Sequence, residues 1–254
     1  MKLKVLGCYG TELLSCKMTG FLINDRVVLD AGTIESSMTM AEQVNIASVL
    51  LSHTHLDHTK GVAFLADNVC NLIQRPVDIV GTTDLIQGIR DSLLNNVIWP
   101  DFTVIPTPES PTLRYREIPE DAVSEVDGLH VRPVRVNHPV PTMGFIIRDG
   151  RSTLVYSGDT GPTEDIWKRA NDEPSVSAIM IEASFPNRLE SLARISGHLT
   201  PRLLALELEK VRHKDAPVYV YHLKPRYIDE LTAELRALNN PRIRFMEDDR
   251  AYEI

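Results

Sequence analysis

The stretch Leu50–Gly61, LLSHTHLDHTKG, places three histidines and one aspartate within six residues, directly after an apolar run. In a chain with eight histidines, a chance match to His-x-His-x-Asp-His has odds of roughly one in two thousand. Alternation along a short loop would put His53 and His55 on one side and turn Asp57 and His58 toward another. This spacing predicts a site for two metal ions.

Composition and charge limit the classes of function. The 254 residues, 43% of them hydrophobic, can form a large core, and we expect a single domain over residues 1–254. The net charge of -8 and the pI near 5.5 argue against a broad basic surface, so no stable nucleic-acid partner is expected. Three cysteines without framework spacing favour a reducing compartment such as the cytoplasm. No apolar run reaches transmembrane length, so no membrane partner is expected.

Four apolar runs in the second half of the chain each end near an ionisable residue. These residues are His138 in HVRPVRVNH, Asp159 in STLVYSGD, Glu182 in SAIMIEAS and His222 in PVYVYH. Each run reads as a strand because it is short, apolar and rich in β-branched residues. Polar groups at the ends of neighbouring strands converge on one rim of a sheet, so we expect these four side chains to lie together.

Turn and cap signals place hairpins and helices around these strands. Asn24–Arg26 and Asp149–Gly150 separate apolar runs and predict hairpin turns. Helical spacing appears in GVAFLADNVCNLIQ, in TTDLIQGIRDSLLNN and in TPRLLALELEKVRH, where Thr200 is a candidate N-cap. Helices interleaved with strands and hairpins predict an α/β fold of two mixed sheets with outer helices. The Pro-rich and acidic stretch from Pro100 to Asp127 is expected to be a long ordered loop or an insertion.

The segment His53-Thr54-His55-Leu56-Asp57-His58 resembles the metal-binding signature of the metallo-beta-lactamase superfamily of hydrolases. That resemblance implies an αββα sandwich, two mixed sheets with helices on the outer faces. It also implies a later histidine for the first metal, a bridging aspartate in a GD turn, and a late histidine for the second metal. The implied ligands are His53, His55 and His138 for metal one, Asp57, His58 and His222 for metal two, and Asp159 between them.

Several further segments resemble the class II cyclic nucleotide phosphodiesterases. They are SHTHLDHTKG, NVIWPDFTVIP, IEASFPN, GHLTP and HLKP, which spread over most of the chain. The resemblance implies hydrolysis of the 3′,5′-cyclic phosphodiester of cAMP or cGMP to the 5′-monophosphate, so the expected partner is a small phosphodiester. It implies two divalent metal ions, zinc by preference with manganese or iron as alternatives, and a shared water held by them as hydroxide. A homodimer is expected by analogy with the superfamily.

Two residues are candidates for proton transfer. Asp57 can both bind metal and orient or accept the proton of the attacking water, although its motif position is equally consistent with a ligand alone. His198, in the Gly-containing loop SGHLTP before a helix start, is the candidate donor to the leaving 3′-oxygen. A loop histidine at that position can instead cap or pack.

The remaining candidates support the metals or the substrate. Lys224 can contact a phosphate oxygen or stay in solvent. Glu182, at a strand end, is expected to hydrogen-bond a ligand histidine or His198 from behind, with a structural cap as the alternative. Asp30, at another strand end, is expected either to support the site in this way or to be structural, and not to bind metal. Trp99 and Phe102 in IWPDF are candidates for stacking on a purine, with anchoring of their loop to the core as the alternative.

Three other functions compete with the cyclic phosphodiesterase. A tRNA 3′-processing endonuclease shares the motif, but it should carry a basic arm that this sequence lacks. A lactonase, thioesterase or arylsulfatase stays open because a metal site alone does not select the ester. A structural zinc domain is disfavoured because such sites use closed, cysteine-rich tetrahedra, whereas histidines and carboxylates leave room for water.

Overall fold

The computed structural model describes residues 1–254 and contains two seven-stranded β-sheets and a separate short hairpin. In spatial order, the first sheet consists of β16 (Ala251–Glu253), β1 (Lys2–Gly7), β2 (Gly20–Ile23), β3 (Val27–Ala31), β4 (Ser48–Leu50), β5 (Val77–Gly81) and β8 (Leu113–Glu117). The second sheet consists of β15 (Ile243–Phe245), β14 (Val218–Tyr221), β13 (Ala178–Glu182), β12 (Thr153–Tyr156), β11 (Met143–Arg148), β10 (Leu129–Arg135) and β9 (Ser124–Val126). The hairpin pairs β6 (Pro106–Thr107) with β7 (Ser110–Pro111).

Seven α-helices accompany the sheets. They are α1 (Met40–Gln43), α2 (Leu56–Val69), α3 (Thr83–Ser92), α4 (Asp165–Asp172), α5 (Glu190–Ser196), α6 (Pro201–Glu209) and α7 (Ile228–Ala237). Short 3-10 turns at Asn187–Leu189 and Pro225–Tyr227 precede α5 and α7. No helix combines the length and the apolar character that a membrane crossing requires.

Three apolar layers hold these elements together. The central layer contains residues of both sheets, such as Phe21 and Tyr156, and lies between them. The outer face of the first sheet packs on α2 and α3, and the outer face of the second packs on α4, α6 and α7. Burial of apolar side chains on both faces of each sheet explains the continuous apolar runs in the strands. The predicted αββα sandwich is confirmed.

Both predicted hairpins are present. At the first, Asn24 and Asp25 have φ angles of 48° and 59°, and the Arg26 N–H donates to the Ile23 carbonyl (3.1 Å). Positive φ at both central residues is the requirement of a type I′ turn, which suits the twist of a hairpin. At the second, Gly150 has φ 85°, and Asp149 accepts from two following N–H groups.

Two elements differ from the sequence-based expectation. Helix α2 begins at Leu56, inside the histidine motif, and not at Gly61; Asp57 in its first turn is favoured by the positive end of the helix dipole. The stretch from Pro100 to Asp127 is not only a loop, because it supplies β8, which pairs with β5, and β9, which pairs with β10. The sequence did not predict these edge strands because their exposed charged side chains interrupt the apolar pattern of a strand.

Candidate metal centre

The seven predicted ligands meet at the rim where parallel strands end. Groups of three side chains with ligand atoms within 4.8 Å of one another include His53, His55 and His138, and separately Asp57, His58 and His222. These are the two ligand groups that the sequence predicts. Residues that are far apart in the chain are therefore brought together, as the strand-end pattern requires.

Asp159 lies between the two groups. Its Oδ2 atom is 3.3 Å from Nε2 of His58, 3.3 Å from Nε2 of His222 and 3.8 Å from Nε2 of His53. On the first-metal side, Nε2 of His138 is 3.3 Å from Nδ1 of His55. A carboxylate within reach of histidines from both groups has the position of a bridging ligand.

Asp30 orients two of the histidines from behind. Its carboxylate accepts from Nδ1 of His58 (2.8 Å) and from the Ser52 hydroxyl (2.8 Å), and that hydroxyl is 2.9 Å from Nδ1 of His53. Because Ser52 gives its only proton to Asp30, it accepts from His53. The two Nδ1 atoms thus carry hydrogen, and both Nε2 lone pairs point at the centre. The Tyr156 hydroxyl also donates to Asp30 (2.6 Å).

Glu182 plays the matching part in the second sheet. It accepts from Nδ1 of His198 (2.7 Å) and from the Ser184 hydroxyl (2.8 Å), and Ser184 is 2.9 Å from Nδ1 of His222. By the same count of protons, Ser184 accepts from His222, whose Nε2 faces the centre. His138 is fixed by donation from its Nδ1 to the Gly197 carbonyl (2.8 Å).

The backbone helps to aim two of these side chains. Asp30 and His222 both have left-handed φ angles, 53° and 62°. Few residues other than glycine adopt this conformation, although Asp and His do so more often than most. At a strand end it turns the chain sharply, and both side chains are wholly buried at the centre.

The residues fit a pair of divalent cations. Three buried polar atoms at the centre have no hydrogen-bond partner: Nε2 of His53, Nε2 of His58 and Oδ1 of Asp159. A buried polar atom without a partner destabilises a fold by about 1–3 kcal/mol, so such atoms call for a ligand. Imidazole and carboxylate are donors that zinc, manganese and iron accept.

The charges at the centre favour a cation as well. Burial lowers the pKa of His53 well below its ordinary value, which keeps the imidazole neutral and able to ligate. Although burial acts in the same direction on His58, the carboxylates of Asp159 and Asp30 outweigh it and raise that pKa well above its usual range. The negative charges of these carboxylates, which hold a proton on His58, also attract a metal ion that can replace that proton.

His198 belongs to neither predicted ligand group, but a ring nitrogen of it lies within 4.8 Å of ligand atoms of Asp159 and His222, and these three side chains form a further group able to hold a metal ion. Its ring stacks on His222 (5.4 Å between centroids, 19° between planes), and its Nδ1 is 4.0 Å from Oδ2 of Asp159. Burial lowers its pKa, but the charge of Glu182 and the hydrogen bond to it prevail, and the net shift is upward. The imidazole is therefore anchored at Nδ1, and its Nε2 is free for a metal ion or a reacting group.

The three predicted substrate contacts differ in their surroundings. Lys224 donates from Nζ to the carbonyl of Gly10 (2.6 Å), and its charge acts on the pKa of the nearby His198, so its role as a phosphate contact stays a prediction. Phe102 is only 4% exposed and packs in the core between the first sheet and its helices, so the structure does not support a stacking role for it. Trp99 is half-buried against Phe64 (5.3 Å between ring centroids).

Sequence reasoning did not single out Ser52, Ser184 and Tyr156, which complete the hydrogen bonds behind the histidines. Ser52 precedes the histidine motif and Ser184 follows Glu182 by two residues. Hydroxyl residues are common, and only the spatial meeting of strand ends gives these three a role. Their proximity to the motifs was the one available signal.

A separate cavity of about 600 Å³ opens at the other end of the first sheet and shares no residue with the metal centre. Arg114 lines it and makes two hydrogen bonds to Asp78 (2.8 and 3.0 Å), and Arg26 pairs with Asp127 (2.7 Å). These arginines and carboxylates pair with one another, so their charges are compensated within the cavity.

The sequence model of the beta-lactamase superfamily domain matches residues 25–222, a range that includes every predicted metal ligand. The chain belongs to the metallo-beta-lactamase superfamily. Among solved structures, unliganded yeast PDE1 superposes with a TM-score of 0.84 at 17% identity, covering 100% of this chain and 99% of that one. At that identity the likeness concerns the fold alone.

Curated relatives of this superfamily member include two kinds of phosphodiester-cleaving enzyme. A probable 3′,5′-cyclic-nucleotide phosphodiesterase of Yersinia pestis is 26% identical over 72% of this chain and 58% of its own length. A 3′,5′-cyclic-nucleotide phosphodiesterase of Schizosaccharomyces pombe is 24% identical over 72% of this chain and 56% of its own. A ribonuclease Z of Kineococcus radiotolerans is 24% identical over 76% and 72%. The chain thus spans somewhat more than half the length of the two phosphodiesterases.

Proposed function

We propose that this chain hydrolyses the 3′,5′-cyclic phosphodiester of cAMP or cGMP to the 5′-monophosphate. The observation that carries the proposal is the position of His198, which is anchored by Glu182 (2.7 Å) directly beside two groups of metal ligands. A hydrolase for a phosphodiester needs a cation centre for the phosphoryl group and a proton donor for the leaving oxygen. The two ligand groups and His198, our candidates for these two parts, lie at the same rim, which supports the proposal.

Each residue contributes a defined part of the reaction. Two divalent cations, held by the two ligand groups with Asp159 between them, would supply an activated water and neutralise the phosphoryl oxygens. The second group holds Asp57 as a carboxylate, because His222 and the charge on His58 lower its pKa despite burial. Asp57 therefore orients the attacking water by accepting a hydrogen bond. His198 donates a proton from Nε2 to the leaving 3′-oxygen.

The substrate class is supported by the relatives and by charge. Two curated relatives carry the name 3′,5′-cyclic-nucleotide phosphodiesterase. A net charge of -8 suits a small substrate attracted locally by metal ions better than a long polyanion.

We propose zinc as the metal, with manganese or iron as alternatives for the same donors. Three unpaired cysteines support a reducing compartment such as the cytoplasm.

The first test is hydrolysis by protein loaded with zinc or manganese. The substrates are 3′,5′-cAMP, cGMP, 2′,3′-cAMP and bis(p-nitrophenyl) phosphate, with Asp57→Ala and His198→Ala in parallel. We expect 3′,5′-cyclic nucleotide turnover, and a loss of about 10²–10⁴-fold in kcat for His198→Ala. His130→Ala is the matched control, because His130 is an exposed histidine on β10. Cleavage of the activated ester alone would remove the cyclic nucleotide assignment.

A ribonuclease Z activity is the second candidate, and the relative at 24% identity favours it. Recognition of a tRNA requires a basic surface that neutralises several phosphates, and its affinity falls steeply with salt. Precursor tRNA therefore belongs in the same assay at two salt concentrations. Efficient cleavage of the precursor without turnover of cyclic nucleotides would select this alternative.

A further inference from the structure

An aromatic side chain that the function above does not use stands next to His198. The ring centroid of Phe185 is 5.7 Å from that of His198, with the planes at 62°. Its backbone N–H donates to the carbonyl of Leu199 (3.3 Å), which ties the residue to the loop that carries His198. Phe185 is only half-buried, so part of the residue remains accessible to a ligand.

Phe185 is backed by a second ring and two guanidinium groups. The Tyr227 centroid lies 6.3 Å from that of Phe185, and the guanidinium carbons of Arg188 and Arg226 each lie 5.6 Å from the centroid of Tyr227. Arg188 is fixed by hydrogen bonds to Glu230 (2.9 to 3.2 Å). We call Phe185, Tyr227, Arg188 and Arg226 the base shelf. Its aromatic rings and positive charge suit the π-face of a nucleobase.

The order of groups at the rim matches the order of groups in the substrate. In a 3′,5′-cyclic nucleotide the phosphorus is followed by the 3′-oxygen, the ribose and then the base. In the structure the ligand groups are followed by His198, which is 4.0 Å from Asp159, and then by Phe185. When the 3′-oxygen faces His198, the base extends toward the base shelf.

We propose that Phe185 is the face on which the nucleobase stacks, with Tyr227 and the two arginines behind it. This inference rests on the proposed function and names the part of the site that would select a nucleotide over a simple phosphodiester. It replaces the sequence-based expectation for Phe102, which is buried in the core. It also competes with the expectation that Trp99 stacks on the base, since the ring of Trp99 packs against Phe64.

The test compares ligands with and without a base. Binding of 5′-AMP and of ribose 5-phosphate to metal-loaded protein is measured by calorimetry for the wild type, Phe185→Leu and Phe185→Tyr, together with KM for 3′,5′-cAMP. We expect Phe185→Leu to weaken AMP binding about 10-fold and to leave ribose 5-phosphate unchanged. Phe185→Tyr, which keeps the aromatic face, should bind AMP within about twofold of the wild type. Metal content verifies that each variant retains its centre.

Phe64→Leu is the matched control, because Phe64 is another partly exposed phenylalanine beside an aromatic ring. This substitution should leave the binding of both AMP and ribose 5-phosphate unchanged. Trp99→Leu tests the competing expectation. If Phe185→Leu binds AMP as tightly as the wild type, or if Trp99→Leu alone weakens it, the base shelf is wrong while the proposed function stands. If the wild type neither hydrolyses cyclic nucleotides nor prefers AMP over ribose 5-phosphate, both the base shelf and the proposed function are wrong.

Discussion

The two sheets each bring one buried carboxylate and one serine to the metal centre, but they use them differently. In the first sheet, Asp30 supports a histidine of each ligand group: His58 directly and His53 through Ser52. In the second, Glu182 supports His198 directly and reaches one predicted ligand, His222, through Ser184. One pair therefore serves both ligand groups, and the other joins a single group to His198.

This difference assigns separate tasks to the supporting carboxylates of the two halves. Asp30 of the first sheet supports histidines of both ligand groups, and Glu182 of the second sheet couples His222 to His198. The two sheets are also joined by a hydrogen bond, which the Tyr156 hydroxyl of the second sheet donates to Asp30 of the first. Burial raises the pKa of Tyr156, so its hydroxyl keeps the proton that this bond requires. Metal affinity and proton delivery should respond to different substitutions.

The largest expected effect is that of Asp30→Asn. Four donors point at this carboxylate: Nδ1 of His58, the Tyr156 hydroxyl, and the amide and hydroxyl of Ser52. An asparagine would turn its own NH₂ group toward some of them. We expect loss of both metal equivalents after dialysis and a decrease of about 3–5 kcal/mol in the free energy of unfolding. Elemental analysis and urea denaturation measure the two quantities.

Asp78→Asn is the matched control for that variant. Asp78 is also a buried carboxylate of the first sheet, but its partner is Arg114 at the far end of the strands. It should lower stability while both metal equivalents stay. An Asp30→Asn protein that retains two equivalents would show that this carboxylate does not set the metal centre.

A smaller and more selective effect is expected for Glu182→Gln. His198 loses its charged partner, and the network through Ser184 to His222 is weakened. We expect kcat for 3′,5′-cAMP to fall about 10²–10³-fold, while the metal held by His53, His55 and His138 remains. Steady-state kinetics and metal content of the same preparation check this. Loss of both ions would erase the distinction between the two halves.

The smallest effect separates the two serines. Ser52→Ala removes the hydrogen bond behind His53, and Ser184→Ala removes the one behind His222. Outer hydrogen bonds of this kind typically contribute about 10-fold in metal affinity. In competition with a chelator, Ser52→Ala should lower the affinity for the ion of the first ligand group. Ser184→Ala should lower the affinity for the ion of the second ligand group. Identical losses in both variants would mean that the ions bind only as a pair.

The signals for the predicted ligands are local in the sequence. Three histidines and an aspartate within six residues, and the residues that follow three later strands, identify seven side chains that lie together in the structure. The hairpins were equally accessible, since Asn24-Asp25 and Asp149-Gly150 are residues that adopt positive φ easily.

What the sequence did not predict depends on contacts between distant residues. Tyr156 and Asp30 are 126 positions apart, and nothing in either segment indicates their hydrogen bond. Phe102 and Phe185 are both phenylalanines in Pro-containing segments, yet the first is buried in the core and the second stands beside His198. Which aromatic ring faces a ligand is decided by packing, which a single sequence does not display.

The left-handed backbone at Asp30 and His222 has a consequence for evolution in the laboratory. Each such residue is held in a conformation that disfavours side chains, by roughly 1–3 kcal/mol. Glycine adopts it without a steric penalty. At His222, a predicted ligand, selection of variants for heat resistance alone would therefore favour glycine, whereas the four hydrogen bonds to Asp30 oppose its replacement. Thermal tolerance and turnover must be selected together to improve this protein without emptying its centre.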